Sequence, residues 1–152
     1  MKLDFKPAGP VAKAFMRDGS FVRGIRGPVG SGKSVTCCME IMRKAVTQAP
    51  NSAGVRRTRW AVIRNTNPQL KTTTIKTWRD WFSDEVGRFV WSPPYTHLVN
   101  FALGDKTTVE CEVIFLALDK QEDVKKLLSL ELTGAWINEA REIPKSIVDA
   151  AT

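Results

Sequence analysis

The residues with the clearest chemical potential are Gly27-Pro28-Val29-Gly30-Ser31-Gly32-Lys33-Ser34, which spell G-x-x-x-x-G-K-[ST] in full. A loop of this composition can turn its backbone N–H groups inward without Cβ clashes, so that they cradle phosphate oxygens. A helix that follows directly adds the positive end of its dipole. Lys33 is spaced to reach the β- and γ-phosphates, and the Ser34 hydroxyl to ligate Mg²⁺. The nucleotide-binding set is therefore Gly27 to Ser34 with Val35, and the expected ligands are a nucleoside triphosphate, ATP, and Mg²⁺.

Such a loop needs a partner acid, and two apolar runs end in one. Val113 to Asp119 (VIFLALD) offers Asp119, the residue type of a metal-orienting acid, but Lys120 follows it. Ala135 to Glu139 (AWINE) offers Glu139 to position and polarise the attacking water. There Asn138 stands in place of an aspartate, able to orient a Mg²⁺-bound water through its amide oxygen. Glu139 is preferred as the catalytic carboxylate beside Lys33, with Ser34 and Asn138 toward the metal. The plain alternative is that Glu139 only starts a surface helix with Arg141 and Glu142.

The elements that must hold these residues are legible in outline. Ser20 to Arg26 (SFVRGIR) alternates enough to predict a strand feeding the loop. Val35, Cys38, Met39, Met42, Ala45 and Val46 recur at helical spacing, predicting a helix from Lys33 to about Gln48. Trp60 to Arg64 reads as a buried strand. Asn67-Pro68 starts a second helix with an apolar stripe of Leu70, Thr74, Trp78, Trp81 and Phe82. Phe89 to Trp91 reads as strand, and His97–Leu103 with Thr107–Leu118 as a hairpin about Gly104-Asp105. Glu122 to Leu128 is expected to be helical, Ala135 to Asn138 strand, and Ile147 onward helix. This alternation predicts an α/β class, with residues 1–20 an irregular lead-in holding one short helical turn and residues 21–152 one domain.

Composition narrows the function classes. The 152 residues are 43% hydrophobic and 26% charged, enough for a packed core. No apolar stretch approaches the roughly 20 residues of a membrane span, and the N-terminus lacks the apolar core of a signal peptide; a soluble intracellular protein is expected. Cys37 and Cys38 are adjacent and Cys111 stands alone, so no metal-ligand pair exists and reduced, packed thiols are expected. His97 is the only histidine, and no catalytic role is assigned to it. The formal charge of +7 favours polyanionic partners such as nucleic acid, although the densest cluster (Arg56, Arg57, Arg59) could be a solvated loop.

Three segments in order carry a family resemblance: the loop written RGPVGSGKS from Arg26, the stretch IRNTNPQLKTTTIKTW from Ile63 to Trp78, and Leu118-Asp119 followed by VKKL, SL and TGAWINEA ending at Ala140. Together they span most of Gly24 to Glu142. The chain resembles the N-terminal ATPase domain of the large terminase subunit of tailed bacteriophages. The resemblance implies a P-loop NTPase fold of the additional-strand, RecA-like type, with a mainly parallel sheet, helices on both sides and a β-hairpin. It implies a motor that spends ATP to package double-stranded DNA in the host cytoplasm, as a homo-oligomeric ring on a portal protein with a small terminase subunit. It also places Asn138-Glu139 at the end of the acid-bearing strand. Departures are the Asn138 replacement, Arg26 preceding the loop where relatives carry an arginine inside it, and no glutamine upstream. Arg26, Arg64 and Arg141, with Lys125 and Lys126, are the candidate charge stabilisers. The family continues into a coupling motif and an RNase H-like nuclease, so the resemblance covers the ATPase part, for which slow hydrolysis is expected. A small nucleotide-kinase-type phosphotransferase and a non-catalytic nucleotide- or DNA-binding fragment are the alternatives.

Overall fold

Val55–Arg64 is a strand whose C-terminal half is covered on both faces: Trp60 and Val62 point into one apolar layer, Ala61 and Ile63 into the other. A computed structural model of the chain describes residues 4–118 and 124–152. This strand, β1, lies between two parallel neighbours. β4 (Thr108–Ala117) pairs with its full length, and β5 (Gly134–Ile137) pairs with residues 60–63. β3 (Tyr95–Ala102) returns against β4 as an antiparallel hairpin, and β2 (Gly87–Val90) lies antiparallel outside it. The order is β2-β3-β4-β1-β5. The sheet is thus mixed, not mainly parallel, because the turn at Gly104-Asp105 sends the chain straight back with no helical crossover.

Helices cover both faces, which makes the chain an α/β protein as expected. α1 (Pro10–Arg17) packs beside α2 (Lys33–Thr47). α3 (Asn67–Gln69), a π-helical stretch Leu70–Ile75 and α4 (Lys76–Trp81) follow one another without a break. Cys38, Met42 and Ala45 of α2 meet Leu70, Trp78 and Phe82 over Val62, Val113 and Phe115 of the sheet. α5 (Val124–Leu128) and α6 (Lys145–Ala151) cover the opposite face, where Leu127 and Ile147 pack with Ala61, Ile63 and Leu118. Of the apolar stripe expected on the second helix, Leu70, Thr74, Trp78 and Phe82 are buried. Trp81 is 37% exposed and meets Phe5 edge-on at 5.8 Å.

One predicted element is absent. Ser20 to Arg26 forms no strand, and Phe21 and Val22 are 88% and 63% exposed. Arg23 explains the path: its guanidinium donates to the carbonyls of Phe15 and Asp18 and to Glu40 on α2. These bonds hold the segment against α1 and α2, away from any sheet edge. The lead-in also holds more helix than expected, since α1 runs for eight residues.

The arginine cluster is strand, not loop. Arg56 donates to Gln48 O at 2.5 Å, Thr107 Oγ1 and Asp105, while Arg57 and Arg59 pair with Glu110 and Glu112 on β4. Arg56 thereby pins the C-terminal end of α2 to the start of β1. The three cysteines are unpaired and buried. Burial pushes the thiols up, Cys37 to about 12 and Cys111 to about 11. His97 is also buried, accepting from Trp78 Nε1 at 2.8 Å through Nδ1, with Nε2 at 2.8 Å from Gly87 O. Both contacts tie His97 into the core.

Candidate nucleotide site

The glycine-rich loop delivers an open helix terminus. Gly32, the N-cap of α2, has φ 78° and ψ 12°, a left-handed conformation that any Cβ would strain, and a Cβ there would meet Ala8 Cβ at 2.9 Å. Gly30 also has φ 78°. No side chain caps α2, and no acid lies in its first turn. The first turn of a helix carries N–H groups without intrahelical partners, so this 15-residue helix presents an uncompensated positive end. Ser31 Oγ is buried and has no hydrogen-bond partner among the described residues. Lys33 Nζ makes one long bond, 3.3 Å to Pro28 O within its own loop. The loop leaves the Ser31 hydroxyl without a partner and gives Lys33 and the Ser31 amide only long bonds to Pro28 O, a set of weakly committed donors that a phosphate group would suit.

The second half of the site gathers at the C-terminal ends of the parallel strands. Asn138, directly after β5, donates from its backbone N–H to Ile63 O and from its side chain to Thr74 Oγ1 at 2.8 Å. Leu118 N donates to Arg64 O, so the ends of β4, β1 and β5 are level. Glu139 follows with φ 56° and ψ 56°, a left-handed backbone that a non-glycine residue rarely adopts. It precedes a 3-10 turn at Ala140–Glu142, and its carboxylate meets Arg141 Nε at 3.4 Å. That local setting, a turn with Arg141 and Glu142, is also what the plain surface reading of Glu139 anticipates.

Arg64 is the residue least provided for. Its side chain is 12% exposed; among the described residues its Nε is buried without a partner, and the acid oxygen it meets, Glu142 Oε2, is 4.0 Å away. A buried guanidinium with an unmet donor has capacity for an anion. Arg26 and Arg141 are exposed, and Arg141 is occupied by Glu139. Lys125 and Lys126 lie at the surface of α5. Asp119, the rival acid, lies outside the described residues.

Among the described residues no hydrogen bond or ion pair joins Gly27–Val35 to Arg64, Asn138, Glu139 or Arg141. The crevice outside the carboxyl ends of parallel strands is where α/β sheets take their ligands. Sequence reasoning placed Thr74 only in the core stripe and missed its hold on Asn138. It also missed Glu142 as the acid beside Arg64. A threonine amid leucine, tryptophan and phenylalanine on a buried stripe was the available signal for the first; nothing local marked the second.

Comparisons with family models, curated proteins and solved structures each returned no match for this chain. The fold and site define a class no finer than an α/β protein with a five-stranded mixed sheet flanked by helices. No described helix is long and apolar enough to cross a membrane.

Proposed function

We propose that the chain is a P-loop ATPase that binds ATP with Mg²⁺ and works on double-stranded DNA, in the manner of a terminase packaging motor. The observation that carries the reading is the uncapped, acid-free N-terminus of α2 behind a loop with Gly30 and Gly32 in left-handed conformation. The loop amides and Lys33 would take the phosphate oxygens, and Ser34 and the Asn138 amide oxygen would hold the metal. Mg²⁺, when bound, supplies charge neutralisation on the phosphate oxygens. Glu139 orients the water and accepts its proton, and its left-handed backbone supports this role because such strain clusters at functional sites. Arg64, short of partners, and the exposed Arg141 are the two arginines placed to balance charge on the phosphate, Arg64 in the same chain and Arg141 toward a neighbouring copy.

The specific DNA-packaging assignment rests on the resemblance of the three segments and on the +7 charge. The test is a pair of variants assayed for both ATP binding and hydrolysis. Lys33→Ala is expected to abolish binding. Glu139→Gln is expected to keep binding and lose hydrolysis. An active Glu139→Gln with an inactive Asp119→Asn would move the catalytic acid to Asp119.

A further inference from the structure

A cationic groove lies on the lead-in side of α2. A cavity of about 400 Å³ opens between α1 and the C-terminal half of α2, lined by Lys13, Arg17, Arg43 and Lys44 together with Pro7 and Met16. Lys13 and Arg17 are one helical turn apart and so project from the same face of α1. The side chains of Lys13, Arg17 and Lys44 have no ion-pair or hydrogen-bond partner among the described residues, unlike those of Arg56, Arg57 and Arg59 on β1. Arg43 is held in place by both oxygens of Glu40. The one acid on the rim, Asp18, already accepts from the backbone and hydroxyl of Ser20. Lys44 lies 11 residues along the helix from Lys33, about 16 Å at 1.5 Å per residue, so this groove is separate from the glycine-rich loop.

We infer that this groove binds the sugar-phosphate backbone of duplex DNA. The inference rests on the reading of the chain as a DNA-working protein and adds where the polymer lies. Three side-chain cations without acid partners, beside an Arg43 already paired with Glu40, outnumber what a single phosphate needs and match a run of charges spaced every few ångströms. No aromatic side chain lines the groove, so it offers no stacking platform for unpaired bases. Its donors are long, exposed Lys and Arg side chains, the type that positions a backbone without reading sequence. α1 joins the groove to the nucleotide loop physically, because Ala8, just before α1, abuts Gly32.

The experiment compares two triple variants of equal charge change by fluorescence anisotropy on a labelled duplex, across a salt series. The groove variant is Lys13→Gln, Arg17→Gln and Lys44→Gln. The control is Arg57→Gln, Arg59→Gln and Lys145→Gln, all ion-paired in the structure. ATP binding and thermal melting are followed in both. The groove variant is expected to lose about tenfold in affinity at moderate salt and to lower the salt slope by about 2–3, near 0.9 per lost phosphate contact. The control is expected to keep the wild-type slope. Equal losses in both would overturn the groove and leave DNA binding as a net-charge effect. Unchanged binding by the groove variant would overturn it while DNA binding stands. A wild-type chain that binds single strands or polyphosphate but no duplex would overturn both the groove and the DNA reading, and the parallel ATP measurement shows whether the nucleotide site survives.

Discussion

The side-chain amide of Asn138 donates to the Thr74 hydroxyl at 2.8 Å, and both side chains are buried. This bond ties the end of β5 to the π-helical stretch Leu70–Ile75. It also fixes which way Asn138 faces: with the amide nitrogen committed to Thr74, the oxygen points the other way. Thr74→Val removes the acceptor and strands a buried donor, at a cost of about 1–3 kcal/mol. Urea denaturation should register that loss, and Thr74→Ser should restore most of it. If Asn138 orients the metal, Thr74→Val will also weaken Mg²⁺-dependent nucleotide binding several-fold, and Thr74→Ser will not. A Thr74→Val protein with wild-type metal dependence would leave Asn138 a purely structural residue.

Glu40 holds the lead-in to the body of the protein, and its effect should depend on pH. Burial pushes its carboxyl up, but the hydrogen bonds and charges of Arg43 and Arg23 together outweigh burial and hold it below the ordinary carboxylate value. A depressed folded value means the stabilisation is present above the unfolded value, about 4.3, and is lost as pH falls through the folded one. Glu40→Gln should therefore cost about 3 kcal/mol near neutral pH, since it leaves Arg23 largely buried and uncompensated. The difference from wild type should shrink below about pH 4. Chemical denaturation at several pH values checks it; a pH-independent difference would mean the pair contributes packing alone.

How much of this was readable in the sequence depended on whether the deciding interaction was local. α2 was legible because its glycine loop and apolar stripe are adjacent in the chain, and the hairpin because Gly104-Asp105 marks its own turn. β5 was legible as a short apolar run between polar ends. Ser20 to Arg26 was misread because alternation reports a side-chain period, not the presence of a sheet neighbour; the bond from Arg23 to Glu40, 17 residues away, decided its path. The π-helical stretch gave no signal, since its residues fit an α-helical stripe equally well. At the candidate site the loop and the Asn138-Glu139 pair were visible as patterns. The unmet donor of Arg64 and the hold of Thr74 were not, because each depends on a residue more than 60 positions distant.

His97 offers a direct probe of the core because the chain has no other histidine. Burial pushes its imidazole below the ordinary value, with Arg79 adding to the depression and the Gly87 carbonyl and Asp84 opposing it. The neutral tautomer must carry its proton on Nε2, donating to Gly87 O, so that Nδ1 can accept from Trp78. A depressed folded value means stability is full above the unfolded value of about 6.5 and falls as pH drops from there toward the folded value. The imidazole NMR resonances should keep the Nε2–H tautomer below pH 6.5, and Tm should begin to decline in the same range. Protonation at the ordinary value in the folded chain would contradict the Trp78 bond.

The buried thiols make a kinetic prediction. Cys37 and Cys111 are buried, with thiols pushed up to about 12 and about 11, so almost no thiolate forms at pH 8. A thiol reagent should label less than about one cysteine per native chain within minutes, and all three promptly in urea. Fast native labelling at any one of them would show that the structure around it opens locally.

Catalysis by the isolated chain should be slow, and the reason lies at Glu139. Its carboxylate meets Arg141, whose side chain is 82% exposed, and the two together form a surface turn. An arginine so placed is as accessible to a neighbouring copy as to its own site, and an arginine finger supplied in trans is worth about 10³–10⁵ in rate. Turnover per chain should therefore rise with protein concentration. Arg141→Ala and Glu139→Gln should each be inactive alone, and an equimolar mixture should regain measurable hydrolysis, because one copy retains the carboxylate and the other the arginine. Steady-state phosphate release across a concentration series measures both effects. Rapid turnover independent of concentration would exclude the exchange and assign the charge-balancing role to Arg64 within the same chain.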